Sequence, residues 1–259
     1  MTAPLLELDG LVRRFGGFCA VDDVSLSVEP GARLGVIGPN GAGKSTLFKL
    51  ITGGLKPSAG RVQVAGDDVT GWPEYRRARL GVAQTFQHSS LFLSLSCLEA
   101  VELVLQRADG SGLRVRRRRE PVSDAADAML ERVGLQERRE AVTSSLSHGE
   151  RRQLEIAVAL AAEPRLLLLD EPSAGMSPAE TQRLAELIET LPEELSVILV
   201  EHDLDFVFRV VADVAVMHLG QMIARDSAEV IRTSEEVERV YLGAAASEEL
   251  FIDEPEPAA

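Results

Sequence analysis

The chain has 259 residues, of which 45% are hydrophobic and 26% charged, so it has enough apolar side chains for one sizeable core. The 27 basic and 41 acidic residues give a net charge of −14, which argues against non-specific nucleic-acid binding. No apolar run approaches the length of a membrane span, and the amino terminus does not resemble a signal peptide. We therefore expect any link to a membrane to go through a partner.

The first third of the chain is predicted to consist mainly of strands. Alternating or continuous apolar residues indicate strands at 5–8, 24–28, 32–38, 61–64 and 80–86. A helix is predicted after the third of these strands, because apolar residues from Leu47 to Ile51 recur at helical spacing. Gly53 and Gly54 then end the helix.

The middle of the chain, from Leu91 to about Glu163, has a helical pattern. One amphipathic helix is predicted over Asp124–Val133, followed by the helix terminator Gly134. Between the helices, glycines, a proline and a run of arginines predict a surface loop over Arg107–Pro121.

The last third returns to alternating strands and helices. Strands are predicted at 166–169, 197–200 and 214–217, and a helix at 179–191. Because the strands are apolar throughout, they indicate a parallel sheet covered on both faces, as in α/β proteins. From Ala244 the chain is acidic without any basic residue, and we expect that tail to be disordered.

The segment from Gly38 to Thr46 matches the phosphate-binding pattern G-x-x-x-x-G-K-S/T, between a predicted strand and a predicted helix. This context distinguishes it from an ordinary glycine-rich turn. Its backbone N–H groups and the positive end of the helix can surround phosphates, Lys44 adds a charge, and Ser45 offers a hydroxyl to Mg²⁺. The predicted nucleotide-binding residues of the loop are Gly38, Asn40, Gly41, Ala42, Gly43, Lys44, Ser45 and Thr46.

Two carboxylates follow the apolar strand at 166–169. Asp170 lies where the strand ends, which is the edge at which α/β sheets bind ligands, and it can hold Mg²⁺ through water. Glu171 is suited to orient and deprotonate an attacking water. The alternative interpretation is the solvated start of a loop, but the phosphate-binding pattern favours a functional pair.

A third motif, Leu146–Glu150, precedes an apolar helix. Ser147 and Glu150 have the spacing of a capping box, and Gly149 leaves the start of the helix open to an anion. On its own this motif is better explained as a capped helix, with a cap worth about 1 kcal/mol of stability, than as a ligand-binding site.

In chain order, the glycine loop at 38–46, the motif at 146–150 and the carboxylates that follow the strand at 166–169 resemble the Walker A, signature and Walker B motifs of the ABC (ATP-binding cassette) ATPase family. The resemblance extends over about Leu5 to Leu242. It implies an α/β P-loop NTPase with a RecA-like parallel sheet, an N-terminal antiparallel β subdomain and a helical subdomain at about 88–163. The implied domains are one ATPase domain, 1–243, and the tail at 244–259.

The resemblance also implies roles for individual residues. Phe15 would stack on adenine, although a core phenylalanine is the alternative. Gln87 would touch Mg²⁺ and sense a membrane partner. His202 would contact the γ-phosphate and be the second catalytic residue. ATP would lie between two cassettes paired head to tail. The implied signature residues are Ser147, Gly149 and Glu150, and the implied metal-binding residues are Ser45, Gln87 and Asp170.

Two positions depart from the family pattern. His148 replaces the usual signature glycine, and we expect it to be tolerated because the rest of the motif is intact. Ser177 stands where many relatives carry an aspartate. The segments 175–178 and 200–203 resemble ATPases of branched-chain amino acid importers, or the related urea and amide importers.

The implied partners are a second ATPase subunit, identical or paralogous, permease subunits and, indirectly, a solute-binding protein, at the cytoplasmic side of a prokaryotic plasma membrane. Two alternatives stay open: a lipopolysaccharide-export ATPase, which usually carries aspartate at the position of Ser177, and a non-transport ATPase such as an iron–sulfur assembly factor.

Overall fold

The structure, a computed structural model, describes residues 3–85, 91–108 and 119–241. The strands are β1 (Leu6–Phe15), β2 (Phe18–Val28), β3 (Arg33–Ile37), β4 (Ala59–Val64), β5 (Asp67–Asp68), β6 (Val82–Gln84), β7 (Leu166–Asp170), β8 (Ser196–Val200), β9 (Asp213–His218) and β10 (Gln221–Ser227). The helices are α1 (Lys44–Thr52), α2 (Glu74–Arg79), α3 (Cys97–Ala108), α4 (Arg119–Arg132), α5 (His148–Ala161), α6 (Pro178–Glu189), α7 (Leu204–Val210) and α8 (Ala228–Arg232). Short 3₁₀ turns occupy Gln136–Arg138 and Thr143–Ser145.

An antiparallel sheet with the strand order β2-β1-β4-β5 forms the amino-terminal layer. In β1, alternate residues such as Leu6 and Leu8 are buried while their neighbours are exposed, so one face of the strand contributes to the core. Leu6 pairs with Val28 on one side and with Val64 on the other. This sheet confirms the predicted antiparallel subdomain.

The second sheet has the order β10-β9-β3-β8-β7-β6. Five of its strands pair in parallel, and β10 closes one edge as an antiparallel neighbour of β9. The residues from Leu166 to Leu169 are completely buried, as expected for a strand that is covered on both faces. The predicted α/β architecture with a parallel core sheet is confirmed.

Apolar residues pack on both faces of the parallel sheet. On one face, α1 contributes Leu47 and Ile51 to a cluster that extends into the antiparallel sheet. On the other face, α3, α4, α5 and α6 contribute residues such as Leu130, Leu154 and Leu184. Among the described residues, no helix has both the length and the apolarity needed to cross a bilayer.

The predicted loop at 107–121 is wrong at both ends. Helix α3 continues through Arg107 to Ala108, and α4 already begins at Arg119. Pro121 is compatible with this early start because it lies in the first turn, where a missing backbone N–H breaks no helical hydrogen bond. Residues 109–118 and the predicted tail at 244–259 lie outside the described residues, and the limits 88–163 for a helical subdomain stay a prediction.

Candidate functional site

The loop between β3 and α1 follows a path that requires glycine. Gly38, Gly41 and Gly43 have φ angles of 150°, 77° and 102°. A Cβ atom at Gly38 would lie 2.1 Å from the carbonyl oxygen of Met217, and one at Gly43 would lie 2.3 Å from that of Ala20. The loop therefore packs backbone to backbone against β9 and β2, and its course is fixed by the fold.

A cleft of about 230 Å³ opens beside this loop. It is lined by Phe18, Ala20, Asn40, Gly41, Ala42, Gly43, Lys44, Ser45, Thr46, Glu171 and His202. Helix α1 begins at Lys44, and its N-cap residue Gly43 provides no side-chain hydrogen bond. The cleft thus combines an uncapped helix N-terminus with a lysine, which is an arrangement suited to phosphate groups.

The Lys44 ammonium lies at the base of the cleft and is almost completely buried. Its Nζ donates hydrogen bonds to the carbonyl oxygens of Gly38 at 2.6 Å and Pro39 at 3.0 Å. Burial lowers the pKa of Lys44, while the nearby carboxylates of Glu171 and Asp170 oppose this shift. A buried ammonium whose hydrogen bonds in the described structure go to neutral carbonyl oxygens is well placed to bind a stronger anionic acceptor.

Asp170 ends the buried strand β7. Within the described part of the chain, its Oδ1 atom is buried and has no hydrogen-bond partner. Burial, followed by the charge of Glu171, raises the pKa of Asp170 to about 6. An unpartnered carboxylate oxygen near the Ser45 loop fits the hard oxygen ligands that Mg²⁺ prefers. The described residues contain no cluster of three or more His, Cys, Asp or Glu that could hold a metal.

Glu171 and His202 meet at the mouth of the cleft, with Glu171 Oε1 3.0 Å from His202 Nε2. Glu171 has a left-handed backbone conformation with φ of 47°, and its N–H donates to the Val200 carbonyl at 2.8 Å. A partly exposed carboxylate beside an imidazole can orient a water molecule and accept its proton.

Two charged residues that the sequence analysis did not identify hold the segments that contain Glu171 and His202. The buried carboxylate of Glu201 accepts hydrogen bonds from the backbone N–H groups of Ser173 at 2.7 Å and His202 at 3.1 Å. The buried Arg152 donates to the carbonyl oxygens of Asp170 and Glu171. The sequence carries little signal for either residue, because Glu201 directly follows the apolar strand β8 and Arg152 stands between the polar residues Arg151 and Gln153. Their need for partners follows from their burial.

The predicted capping box at the start of α5 is confirmed. Glu150 N–H donates to Ser147 Oγ at 3.2 Å, and Ser147 N–H donates to Glu150 Oε2 at 2.8 Å, which lowers the pKa of Glu150. Gly149 packs against the carboxylate of Glu180, since a Cβ atom at this position would lie 2.3 Å from Glu180 Oε1. Ser147, Gly149 and Glu150 do not line the cleft around Lys44, so within one subunit the signature motif and the phosphate-binding loop are separate.

Two aromatic residues pair across the β1–β2 hairpin beside the cleft. Phe15 is exposed, and Cζ of the Arg13 guanidinium lies 4.5 Å from the centroid of its ring. Phe18, on the paired strand, lines the cleft. The predicted role of Phe15 in adenine stacking stays a prediction, and Phe18 is a second aromatic candidate. Gln87 lies outside the described residues.

The parallel sheet, the glycine loop and the paired acidic residues together define an ATP-binding P-loop protein. Residues 21–174 match the family described as ABC transporter, and the chain belongs to this family as an ATPase subunit. The chain is 38% identical over 255 residues, 95% of its length and 100% of the relative, to the high-affinity branched-chain amino acid transport ATP-binding protein LivG of Escherichia coli K12.

Two other similarities cover nearly the whole chain. The lipopolysaccharide export system ATP-binding protein LptB of Escherichia coli K12 is 36% identical over 239 residues, 92% of this chain and 97% of LptB. The crystal structure of the ADP conformation of MJ1267, an ATP-binding cassette of an ABC transporter, superposes with a TM-score of 0.80 at 29% identity, covering 93% of this chain and 100% of that cassette.

Proposed function

We propose that this chain hydrolyses ATP to drive a membrane importer of branched-chain amino acids or related small solutes. The cleft that joins Lys44, Glu171 and His202 carries the proposal for the chemistry. The full-length similarity to LivG supports the solute class. Lipopolysaccharide export is the second candidate because LptB is almost as similar, and the serine at position 177 favours import.

Lys44 and the amino-terminal end of α1 would bind the phosphates of ATP. The Lys44 ammonium would exchange its carbonyl partners for β- and γ-phosphate oxygens, and a charge-assisted hydrogen bond to phosphate is stronger than one to a neutral carbonyl. The loop residues from Gly38 to Thr46 would contribute backbone N–H groups. Phe15, with Phe18 beside it, would cover the adenine ring.

Asp170, Ser45 and Gln87 are the proposed Mg²⁺-binding residues, and the first two lie in the part of the chain that the structure describes. The buried, unpartnered Oδ1 of Asp170 supports this assignment. When bound, Mg²⁺ would neutralise part of the charge that develops on the phosphates. Its presence would also favour the ionised form of Asp170.

Glu171 is the proposed general base. Its carboxylate would accept the proton of the attacking water, and His202, 3.0 Å away, would orient that carboxylate and contact the γ-phosphate. The backbone contacts from Arg152, Val200 and Glu201 would keep this pair in place during the reaction.

A second cassette would complete each ATP site. Because Ser147 is exposed at the start of α5 and lies away from the cleft in its own subunit, it is available to a partner's γ-phosphate. We propose a head-to-tail pair of such subunits bound to permease subunits at the cytoplasmic side of a plasma membrane, with a solute-binding protein as an indirect partner. The ATPase domain would span 1–243. Its helical subdomain, at about 88–163, would face the permease.

Replacing Glu171 with Gln tests the catalytic assignment. The variant should bind Mg-ATP but lose about 10²–10⁴ in kcat, the range of a general base. It should also form a stable ATP-bound dimer in size-exclusion chromatography, because one negative charge next to the γ-phosphate is removed. The exposed residue Glu194 provides a matched control, Glu194→Gln, which should behave as wild type. Normal hydrolysis by Glu171→Gln would contradict the role of Glu171.

The transport assignment needs a separate experiment. The chain, expressed with candidate permease subunits, should co-purify with them from detergent-solubilised membranes. In proteoliposomes with a solute-binding protein, the complex should take up labelled leucine in an ATP-dependent manner. Co-purification with a lipopolysaccharide-export permease would instead support the second candidate.

A further inference from the structure

His148, the residue that replaces the usual signature glycine, contacts a distant part of the same subunit. It is the first residue of α5, and its Nε2 lies 3.0 Å from the carbonyl oxygen of Ala174, 26 residues along the chain. A carbonyl oxygen only accepts hydrogen bonds, so Nε2 carries the hydrogen and donates it. This bond joins the signature motif to the segment at 173–177 that directly follows Glu171.

The residue next to Ala174 is adapted to the imidazole. A Cβ atom at Gly175 would lie 3.0 Å from His148 Cδ2 and 3.2 Å from Nε2, so the ring packs directly on the glycine backbone. Gly175 also has φ of 74°, a conformation that glycine adopts without strain. The bond and the ring contact together hold one side of the 173–177 segment against the amino-terminal end of α5.

The same helix also contacts the catalytic segment at a second point. Arg152 is four residues after His148 and therefore on the same face of α5. It donates to the carbonyl oxygens of Asp170 and Glu171 and pairs with Glu155 at 2.8 Å. Helix α5 thus contacts the segment after β7 at two points, Glu171 and Ala174.

We propose that His148 is a positioning residue for ATP hydrolysis: it fixes the 173–177 segment on α5, so that the signature motif and Glu171 of one subunit move as a unit. This inference rests on the proposed catalytic role of Glu171. When a partner's nucleotide engages Ser147, the displacement of α5 reaches Glu171 through Arg152 and reaches the following segment through His148. In this arrangement each signature motif is coupled to the catalytic base of its own subunit.

Substitutions at His148 separate this role from a general effect on folding. His148→Ala removes the donor and the ring, and should lower kcat about three- to tenfold, the range of one net hydrogen bond. The Kd of the isolated subunit for a fluorescent ATP analogue should be unchanged, because His148 does not line the Lys44 cleft. His148→Gln keeps an N–H donor and should restore most of kcat.

A double-mutant cycle with Gly175→Ala tests whether His148 acts through its own subunit. In the wild type, the added methyl group meets the imidazole and should lower kcat and the unfolding temperature. In His148→Ala that contact is gone, so Gly175→Ala should have a smaller effect, and the two substitutions should be non-additive. Gly66→Ala is the matched control, because Gly66 also has a positive φ, 85°, and a Cβ atom there meets nothing within 4 Å.

Each outcome decides the proposal. A lowered kcat in His148→Ala, rescue by Gln and non-additivity with Gly175→Ala would support it. Unchanged kcat in His148→Ala would overturn it, and additive effects would also overturn it, because His148 would then act on the partner's nucleotide. The unfolding temperatures report the His148–Gly175 contact independently of catalysis. Activity in Glu171→Gln would show that the assigned base is wrong. That result is independent of whether the unfolding temperatures show coupling between His148 and Gly175.

Discussion

Arg77 offers a test of how the phosphate-binding helix is anchored at its far end. The side chain belongs to α2 and is 1% exposed. Its guanidinium donates to the carbonyl oxygens of Leu50 at 2.6 Å, Ile51 at 2.7 Å, and Thr70 and Trp72 at 3.2 Å each. The Leu50 and Ile51 carbonyl groups belong to the last turn of α1, where carbonyl oxygens receive no hydrogen bond from an N–H group of the same helix. Burial lowers the pKa of Arg77 to about 10, so it is charged at neutral pH.

Replacing Arg77 with Met keeps most of the apolar stem and removes every donor. The two short bonds serve buried carbonyl groups, and each buried acceptor without a partner costs about 1–3 kcal/mol. With the two longer bonds, we expect the free energy of unfolding to fall by about 3–5 kcal/mol. For a domain of this size the unfolding temperature should fall by roughly 6–20 °C. Arg77→Lys should lose less, because an ammonium retains three donors but not the planar fork.

The measurement is urea and thermal unfolding followed by circular dichroism. The neighbouring residue Arg76 is exposed on the same helix, and Arg76→Met serves as the matched control, with an expected change within about 0.5 kcal/mol. A difference of less than 1 kcal/mol between the Arg77 and Arg76 variants would refute the reasoning, because water would then satisfy the freed carbonyl groups as well as the guanidinium does.

Two further predictions concern the nucleotide. Lys44→Ala should abolish binding of a fluorescent ATP analogue while the circular dichroism spectrum is retained, since the lysine lies at the base of the cleft; wild-type ATPase activity in this variant would refute the assignment. Ser147→Arg should abolish ATPase activity without weakening ATP binding to the isolated subunit, because the side chain lies outside that subunit's own cleft. Mixing it with Lys44→Ala should restore partial activity through the one intact composite site, whereas reduced ATP affinity in isolated Ser147→Arg would contradict the head-to-tail arrangement.

Much of the fold follows from local sequence patterns. The apolar run from Leu166 to Leu169 indicates a doubly covered strand regardless of its neighbours, and the structure has β7 there. By contrast, β10 was not predicted because its burial is only intermediate and it depends on pairing with β9 at the sheet edge. Helix α2 was missed for a related reason: its exposed face gives no apolar period, and the buried residue that anchors it is Arg77.

The residues of the candidate site were likewise predictable only where the signal is local in the sequence. The phosphate-binding loop was predictable because glycines with positive φ, a lysine and a helix start are contiguous in sequence. Arg152, Glu201 and the His148–Ala174 bond were not, because each depends on which backbone atoms the fold brings next to a side chain. The sequence predicted only that His148 would be tolerated in the signature motif, and the structure shows that its ring is bonded to the carbonyl oxygen of Ala174 in the segment after Glu171.

The backbone of Glu171 explains why so many contacts converge on this segment. A non-glycine residue with φ of 47° carries a conformational cost of about 1–3 kcal/mol, so it persists only where its surroundings hold it. Its N–H is bonded to Val200, its carbonyl oxygen to Arg152, and its carboxylate to His202. The first contact comes from the core sheet, but the second comes from α5. A shift of α5 therefore changes the support of a strained residue, and the orientation of its carboxylate becomes sensitive to whatever engages the signature motif.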